Sequence, residues 1–209
     1  MLEIVTMTLG PVATNSYLVA DRETRQAVVI DPAWDGKAIA DASIRRSWQI
    51  VGIWITHAHF DHMAGAADLV KNLDLLPLVA LHPADLPLYQ KQGGAALFGM
   101  RIEPGPEPGV QLFNGQILNI GTYQFEVRHT PGHTQGHVIF CSETEPIAFC
   151  GDVIFRGSIG RTDLPGGSFD VLIESIRSQI LTLPDETTLY SGHGPETKVG
   201  IERAYNPFL

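Results

Sequence analysis

The sequence contains a dense cluster of residues that could bind metal ions. Three histidines and an aspartate lie within the six-residue segment HAHFDH at 57–62. Alternate residues of an extended segment point the same way, so His57 and His59 can share one ion. Asp61 and His62 follow at the predicted turn into a helix and can reach a second ion. Imidazole and carboxylate ligands without a thiolate suit zinc, iron or manganese.

Three further candidate ligands occur in similar surroundings later in the chain. His133 lies in TPGHTQGH, Asp152 in FCGDVIF and His193 in YSGHGP, each just after a predicted strand. Glycine beside each of them allows the backbone to turn tightly next to a crowded site. Any one of these residues alone would be more typical of a cap or a solvated loop. Together with the first cluster they predict one shared metal centre.

The predicted secondary structure places these residues at the ends of strands. Strands are predicted at 4–8, 16–20, 27–30, 51–56, 78–81, 117–120, 123–129, 137–141, 147–150 and 187–190. Helices are predicted at 37–48, 66–73, 83–90 and 168–181, the last one capped by Ser168. Helices must cover the outer faces of the sheets, which predicts a four-layer helix/sheet/sheet/helix arrangement.

Two loop features were also interpreted from the sequence. Residues 91–109 are rich in glycine and proline, and this segment either covers a site or is a surface excursion. Asn114-Gly115 predicts a hairpin turn. Aromatic and methionine side chains that could line a pocket, with core packing as the alternative, are Tyr17, Trp34, Phe98 and Met100.

Length and composition limit the class of protein. The 209 residues suit a single domain, 1–209. The net charge of −9 and the lack of a basic stripe argue against nucleic acid as a partner. No apolar stretch is as long as a membrane span, and the first residues do not resemble a secretory signal, so a cytoplasmic location is expected. In that compartment Cys141 and Cys150 are expected to be buried thiols, with a disulfide as the alternative.

The order of these residues resembles a known family. HAHFDH is similar to the H-x-H-x-D-H signature of the metallo-β-lactamase superfamily, and the likeness continues through His133, Asp152 and His193. The resemblance implies the α/β class and a four-layer αββα sandwich, with the site at one edge between the two sheets. It also implies ligand roles. The first metal would be bound by His57, His59 and His133, the second by Asp61, His62 and His193, and Asp152 would bridge them.

Within this superfamily the chain resembles the short, single-domain branch of the glyoxalase II-like hydrolases (hydroxyacylglutathione hydrolases). The likeness lies in GDVIFRGSIGRTD at 151–163, in NSY at 15–17 and in NPFL at 206–209. Larger glyoxalase II enzymes carry a C-terminal helical domain that contacts glutathione, and this chain is expected to lack it.

The resemblance implies hydrolysis of a small thioester, such as a hydroxyacyl-glutathione, by a metal-bound hydroxide. Two divalent ions, zinc as first choice and iron or manganese otherwise, would hold a water whose pKa falls toward ~7. Asp61 and Asp152 would be catalytic because they hold the ions and orient the hydroxide. A thiolate leaving group, with a pKa near ~8.5, can depart without a general acid. This favours thioesters or lactones over peptides.

Several charged residues around the motifs have two interpretations. Arg161 corresponds to a position where glyoxalase II-like proteins carry a basic substrate contact, and the alternative is a salt bridge to Asp163. His129 and His137 are expected to be structural or to be hydrogen-bond partners of ligands. Asp31 is expected to be a turn residue or such a partner.

Two alternative reactions fit the same fold. A mononuclear iron persulfide dioxygenase would use only the first metal site, and such enzymes resemble the chain around GRTD at 160–163. A lactone hydrolase is the other alternative. In each case the partner is a small molecule, such as a thioester or ester, without nucleic acid or membrane. The native metal and the oligomeric state are left open by the sequence.

Overall fold

The strands of the first sheet lie in chain order, and their pairing changes from antiparallel to parallel across the sheet. The computed structural model describes residues 1–103, 105–142 and 144–209. The first sheet consists of β1 (Leu2–Leu9), β2 (Thr14–Asp21), β3 (Gln26–Ile30), β4 (Gln49–Trp54), β5 (Leu78–Leu81) and β6 (Val110–Gln111). β1, β2 and β3 pair antiparallel, whereas β3 to β6 pair parallel. The carboxyl ends of the parallel strands therefore meet at one edge.

The second sheet brings later parts of the chain to the same region. Its strands are β7 (Ile117–Ile120), β8 (Tyr123–His129), β9 (Val138–Ser142), β10 (Ile147–Gly151), β13 (Thr188–Ser191) and β14 (Thr197–Lys198), and a small separate hairpin is formed by β11 (Ile154–Phe155) and β12 (Ser158–Ile159). The sheet order is β14-β13-β10-β9-β8-β7. β10 and β13 pair parallel, so the loops that follow them leave the sheet side by side.

Helices cover the outer faces of both sheets. The helices are α1 (Gly36–Arg45), α2 (Phe60–Met63), α3 (Ala66–Lys71), α4 (Leu86–Gln90), α5 (Phe169–Ser175) and α6 (Val199–Tyr205). Ile39 of α1 and Leu69 of α3 are fully buried against the outer face of the first sheet. Leu172 of α5 and Val199 of α6 are buried against the second sheet. The αββα sandwich predicted from the sequence is therefore confirmed.

The strand sequences explain why the sheets are buried on both faces. In β2, Leu18 belongs to the core under α1, whereas the next residue, Val19, belongs to the core between the sheets. Continuous apolar runs of this kind are typical of strands covered on both sides. Between the sheets, the Trp54 ring lies 5.7 Å from that of Phe125 and 5.1 Å from that of Phe140, measured between centroids. These contacts join the two halves of the chain.

The predicted hairpin at Asn114-Gly115 is wrong. The chain does turn there, since the Gln116 amide donates to the Phe113 carbonyl at 3.2 Å and Gly115 has a φ of 79°. However, β6 pairs with β5 in the first sheet and β7 pairs with β8 in the second. The turn therefore connects the two sheets. The Asn-Gly pair predicts the backbone conformation of the turn itself, but it does not determine which strand the following segment pairs with.

Two predicted segments differ in detail from the structure. The loop at 91–109 contains a short 3₁₀ segment over Gln92–Phe98, interrupted at Gly93, whose φ is positive. A Cβ on Gly93 would collide with the Phe60 backbone, so glycine is required for this close approach. The helix predicted at 168–181 is α5 followed by a π-helical segment, Ile176–Ile180, and its predicted cap Ser168 makes no side-chain capping bond.

Cys141 and Cys150 are both free and buried, as expected. No helix among residues 1–103, 105–142 and 144–209 is long and apolar enough to cross a membrane.

Candidate metal centre

All seven predicted ligands converge at one edge of the sandwich. His57 and His59 follow β4, Asp61 and His62 lie on α2, and the other three follow β8, β10 and β13. The ligand side chains are buried, except that of His193, which is 30% exposed. Residues that are far apart in the sequence are therefore within contact distance in the fold.

The first set consists of three imidazole nitrogens. His133 Nε2 lies 2.8 Å from His59 Nδ1 and 3.2 Å from His57 Nε2. The three nitrogens all lie within 4.8 Å of one another. Three nitrogens converging on one point, with a further position open to solvent or substrate, is an arrangement that catalytic zinc sites use.

The second set contains Asp61, His62 and His193. Asp61 Oδ2 lies 3.4 Å from His62 Nε2 and 3.3 Å from His193 Nε2. Asp152 lies between the two sets, because its Oδ1 is 3.3 Å from His62 Nε2 and its Oδ2 is 3.6 Å from His133 Nε2. A carboxylate in this position can contact an ion in each set.

Two buried atoms in this centre have no hydrogen-bond partner among the described residues. They are His62 Nε2 and Asp152 Oδ1. Buried polar side-chain atoms are nearly always paired, since an unpaired one loses its hydration without compensation. A divalent cation bound by both atoms would supply the missing partner. The donor set of the second site therefore fits a metal that accepts nitrogen and oxygen ligands.

Asp31 fixes the orientation of one histidine in each set. Its Oδ2 accepts hydrogen bonds from His62 Nδ1 at 2.9 Å and from Thr56 Oγ1 at 2.6 Å, and Oδ1 accepts from the Thr56 amide. Thr56 Oγ1 in turn lies 3.0 Å from His57 Nδ1. With the proton on Nδ1, both rings direct a free Nε2 to the centre. A carboxylate oxygen of Asp31 also lies within 4.8 Å of a ring nitrogen of His57 and of His62, as a shared metal site would require. The hydrogen bonds from His62 and Thr56 already occupy both oxygens of Asp31, so it is not counted as a ligand.

The GRTD segment contacts the centre through its backbone. His133 Nδ1 donates to the Arg161 carbonyl at 2.7 Å, which directs Nε2 of that ring to the first set. A Cβ on Gly160 would collide with the Asp152 carbonyl, so this approach requires glycine. The Arg161 guanidinium instead points outward and binds Asp163 through two hydrogen bonds of 2.8 and 2.7 Å. Of the two interpretations of Arg161, the salt bridge to Asp163 is therefore present in the structure.

Asp85 is a supporting residue that sequence reasoning missed. Its buried carboxylate accepts from the Ala58 amide at 2.9 Å, the Thr134 hydroxyl at 2.8 Å and the Gly136 amide at 2.6 Å. It therefore joins the loop of the first cluster to the loop of His133. His137 has a related role, because its Nε2 accepts from the Asp152 amide at 3.1 Å.

The beginning of β2 also supports the centre. Thr14 Oγ1 donates to Asp61 Oδ2 at 2.8 Å. Asn15 Nδ2 donates to the carbonyls of Ser191 and Gly194, and Tyr17 OH donates to the Ser191 carbonyl at 2.6 Å. These contacts hold the loop of His193 against the first sheet. Tyr17 is thus buried between the sheets and does not line the pocket.

Burial keeps the first set neutral. It lowers the pKa of His59 to about 3 and lowers the pKa values of His57 and His133 as well. A positive charge on His133 would repel one on His57 or on His59, which adds to the effect of burial on the pKa values of these two rings. These nitrogens are therefore free to bind a cation at neutral pH without first losing a proton.

In the second set, neighbouring carboxylates raise the pKa values of the histidines. Burial alone would lower the pKa of His62 and of His193, but Asp152 and Asp61 raise both, that of His193 to about 10. Burial opposes ionisation of Asp61 too, yet the charge of His62 lowers its pKa to about 2. In the metal-free protein the charges of His62 and His193 are thus attracted to those of Asp61 and Asp152, although His62 Nε2 and Asp152 Oδ1 approach to 3.3 Å without forming a hydrogen bond.

A cavity of about 160 Å³ opens above the centre. Apolar side chains that line it are Val12, Phe60, Phe98 and Leu164. The Phe98 ring lies 5.3 Å from that of Phe60, and Trp34 packs behind Phe60 at 6.0 Å, measured between centroids. Of the four predicted pocket residues, only Phe98 lines this cavity. Met100 packs against the core under α1 instead.

The αββα fold and this His/Asp centre are those of a family of metallo-hydrolase-like enzymes. The chain belongs to the metallo-beta-lactamase superfamily, whose family description matches residues 9–193. The family resemblance drawn from the motifs is thereby confirmed.

Two relatives match nearly the whole chain. The "Probable metallo-hydrolase YqgX" of Bacillus subtilis is 38% identical over 206 residues, covering 97% of this chain and 95% of that protein. The "Hydroxyacylglutathione hydrolase GloC" of Haemophilus influenzae is 33% identical over 204 residues, covering 93% of this chain and 92% of that protein. Both are similar to this chain along more than nine-tenths of their lengths.

Solved structures give the same result for the fold. BLEG-1 B3 metallo-beta-lactamase has a TM-score of 0.89 and 37% identity, covering 100% of this chain and 99% of its own. TTHA1623, in a di-iron-bound form, has a TM-score of 0.88 and 41% identity, covering 98% and 100%. ETHE1 from Myxococcus xanthus has a TM-score of 0.81 and 26% identity, covering 98% and 83%.

Proposed function

We propose that this protein is a metal-dependent hydrolase of small thioesters, with hydroxyacyl-glutathione as the first candidate substrate. The proposal treats residues 1–209 as one domain. In it, His57, His59 and His133 hold one ion, Asp61, His62 and His193 hold a second, and Asp152 contacts both. Zinc is the first candidate. Iron is the second, supported by the di-iron-bound form of the similar TTHA1623, and manganese is the third.

The ions and the protein contribute different parts of the chemistry. Two divalent ions bound here would lower the pKa of a water molecule and offer positive charge to a carbonyl oxygen. Asp61 and Asp152 contribute by fixing the positions of the ligand atoms and, through their negative charge, by orienting the water. Asp31 and the Arg161 carbonyl hold the imidazole rings in place, so little reorganisation is needed during the reaction.

One observation carries the choice of a thioester. Among the described side chains that line the cavity, every ionisable group except Arg161 is a proposed ligand; they are His59, Asp61, His133, Asp152 and His193. Arg161 is permanently charged and cannot serve as a general acid. An amine leaving group would need a proton that no side chain there is free to give. A thiolate, with a pKa of ~8.5, leaves as the anion and needs none.

The walls of the cavity suggest how the substrate lies. The apolar side chains of Val12, Phe60, Phe98 and Leu164 suit the carbon chain of an acyl group. Arg161 lies at the same cavity and is 52% exposed, so it can exchange Asp163 for a substrate carboxylate at small cost. The similarity to the glutathione thioester hydrolase of H. influenzae supports a carboxylate-bearing thiol.

A mononuclear iron dioxygenase acting on a persulfide is the second candidate. The observation in its favour is that the first set is complete by itself, with three converging nitrogens that need no contribution from the second. A lactone hydrolase would use the same two-metal centre as the thioesterase. The dioxygenase differs from the two hydrolases in metal count and in oxygen consumption, and the two hydrolases differ from each other in substrate.

The test is hydrolysis of S-D-lactoylglutathione, with metal content measured on the same preparation. We expect kcat/KM above ~10⁴ M⁻¹s⁻¹, a value typical of natural substrates. His59→Ala should reduce it by more than ~100-fold, because losing a ligand costs more than losing an outer partner. His82→Ala is the matched control, since His82 stacks on His129 and does not line the cavity.

Other outcomes would redirect the proposal. Two bound ions with negligible thioester turnover would contradict the substrate, and a lactone series would follow. One iron per chain, no hydrolysis and thiol-dependent oxygen uptake would replace the hydrolase by the dioxygenase.

A further inference from the structure

Thr14 forms a buried hydrogen bond to a proposed metal ligand. It is the first residue of β2, its side chain is fully buried, and its Oγ1 donates to Asp61 Oδ2 at 2.8 Å. The two residues are 47 positions apart in the chain. Threonine here is not explained by apolar packing alone, since valine would fill the same volume without the hydroxyl.

The other contacts of Asp61 come from ligands. His62 Nε2 and His193 Nε2 lie 3.4 and 3.3 Å from the same carboxylate oxygen. When these nitrogens bind a cation, their lone pairs point at the ion and they no longer donate to Asp61. Among the described side chains, Thr14 is then the donor that remains on this carboxylate. Thr14 bonds Oδ2, the same oxygen that lies beside the two ring nitrogens, so its hydroxyl fixes the oxygen that faces the second set.

The position of Thr14 is itself well fixed. It pairs with His193 in an isolated β-bridge, and the neighbouring Asn15 amide donates to the Gly192 carbonyl at 2.7 Å. One short segment therefore holds two of the three members of the second set. Within the described part of the chain, the Thr14 side chain makes no hydrogen bond to the first set.

We propose that the Thr14 hydroxyl orients Asp61 and thereby sets the occupancy of the second metal site. Thr14 is a positioning residue, because it acts through Asp61 and not on the substrate. The inference rests on the proposed two-metal centre. Its consequence is that removing one hydroxyl group would convert a two-metal protein into a one-metal protein with an intact first site.

The test measures metal binding directly. Metal-free wild type and Thr14→Val are titrated with zinc by calorimetry, and bound zinc is counted by elemental analysis after desalting. We expect the second zinc to bind Thr14→Val 10- to 100-fold more weakly, the usual range for losing an outer partner. The first zinc should bind both proteins equally. Thr14→Ser, which keeps the hydroxyl, should restore the second zinc.

Two further variants keep the result interpretable. Thr182→Val removes a hydroxyl at the surface and should bind two zinc ions like wild type. Thr14→Ala replaces Thr14→Val if valine alters the circular dichroism or the melting temperature of the metal-free protein. If Thr14→Val bound two zinc ions with wild-type affinity, this result would overturn the inference and leave the proposed function intact. A wild type that binds one zinc ion would overturn both.

Discussion

Asp31 and His62 are joined by a buried hydrogen bond of 2.9 Å between Oδ2 and Nδ1. The same oxygen accepts from Thr56 Oγ1, which contacts His57. One carboxylate outside the ligand set thus fixes a ring in each half of the centre. Asp31 directly follows β3, so these hydrogen bonds hold the segment that carries His57 and His62 against the end of that strand without a bound ion.

We expect Asp31→Asn to weaken both metal sites. Asparagine tolerates the positive φ of 51° at this position, so the backbone can stay in place. Its NH₂ group cannot accept the bonds that Oδ2 receives, and each ion should bind roughly 10- to 100-fold more weakly. Calorimetric zinc titration measures both affinities. Asp41→Asn, which breaks only an exposed pair with Lys37, is the control, and unchanged binding in Asp31→Asn would contradict the role of Asp31.

The two sites should respond differently to pH. In the metal-free protein, the raised pKa values of His62 and His193, the latter about 10, keep both protonated near neutrality. The second ion must displace those protons, so its apparent affinity should rise at least about tenfold per unit between pH 6 and 8. The pKa of His59 is lowered to about 3, so the first ion has no such proton to displace and its affinity should stay nearly constant.

Calorimetry in buffers of different ionisation enthalpy counts the protons released with each ion. Release of one or more protons with the second zinc, and of close to none with the first, is the expected result. Equal proton release at both steps would show that the charges of the two sets are not separated in this way.

Asp85→Asn should destabilise the protein and weaken the first site. The buried Asp85 carboxylate accepts three hydrogen bonds from Ala58, Thr134 and Gly136, and an amide nitrogen cannot replace an accepting oxygen. When one of these buried donors loses its acceptor, the free energy of unfolding falls by roughly 1–3 kcal/mol. Urea unfolding of the metal-free protein measures this loss, and zinc titration measures the first site. Asp74→Asn, at an exposed position, should change neither quantity.

Arg161 and Asp163 should have opposite effects on substrate affinity. Asp163→Asn releases the guanidinium from an exposed ion pair that solvent screening keeps weak, so KM for S-D-lactoylglutathione should fall about two- to fivefold. Arg161→Gln should raise KM about tenfold, because a charged hydrogen bond is lost. An uncharged thioester such as S-ethyl thioacetate is the matched substrate, and its KM should not change. Equal effects on both substrates would exclude a carboxylate contact.

The proposed ligands could be recognised from sequence because their pattern is local. Four of the seven lie in one six-residue segment, and the other three each follow a strand with glycine beside them. The layers could also be predicted, since β2 to β4 carry apolar runs and α1 has an apolar face. These features depend on spacing within one element.

The supporting residues could not be recognised in the same way. Thr14 and Asp61 are 47 residues apart, and Ala58 and Asp85 are 27 apart, so no spacing within one element links either pair. The hairpin error at Asn114 has the same origin, because pairing depends on distant strands. α6 was missed since only Val199 and Glu202 of its residues are buried, which leaves almost no apolar periodicity.

The hydrogen bonds from Asn15 and Tyr17 to the loop after β13 link the start of the described chain to residues near its end. The second metal site therefore requires the two sheets to be docked against each other, since β2 of the first sheet holds the loop of the second sheet that carries His193. An ion bound there would consequently oppose separation of the two sheets, and its occupancy would report whether the two halves of the sandwich are packed together.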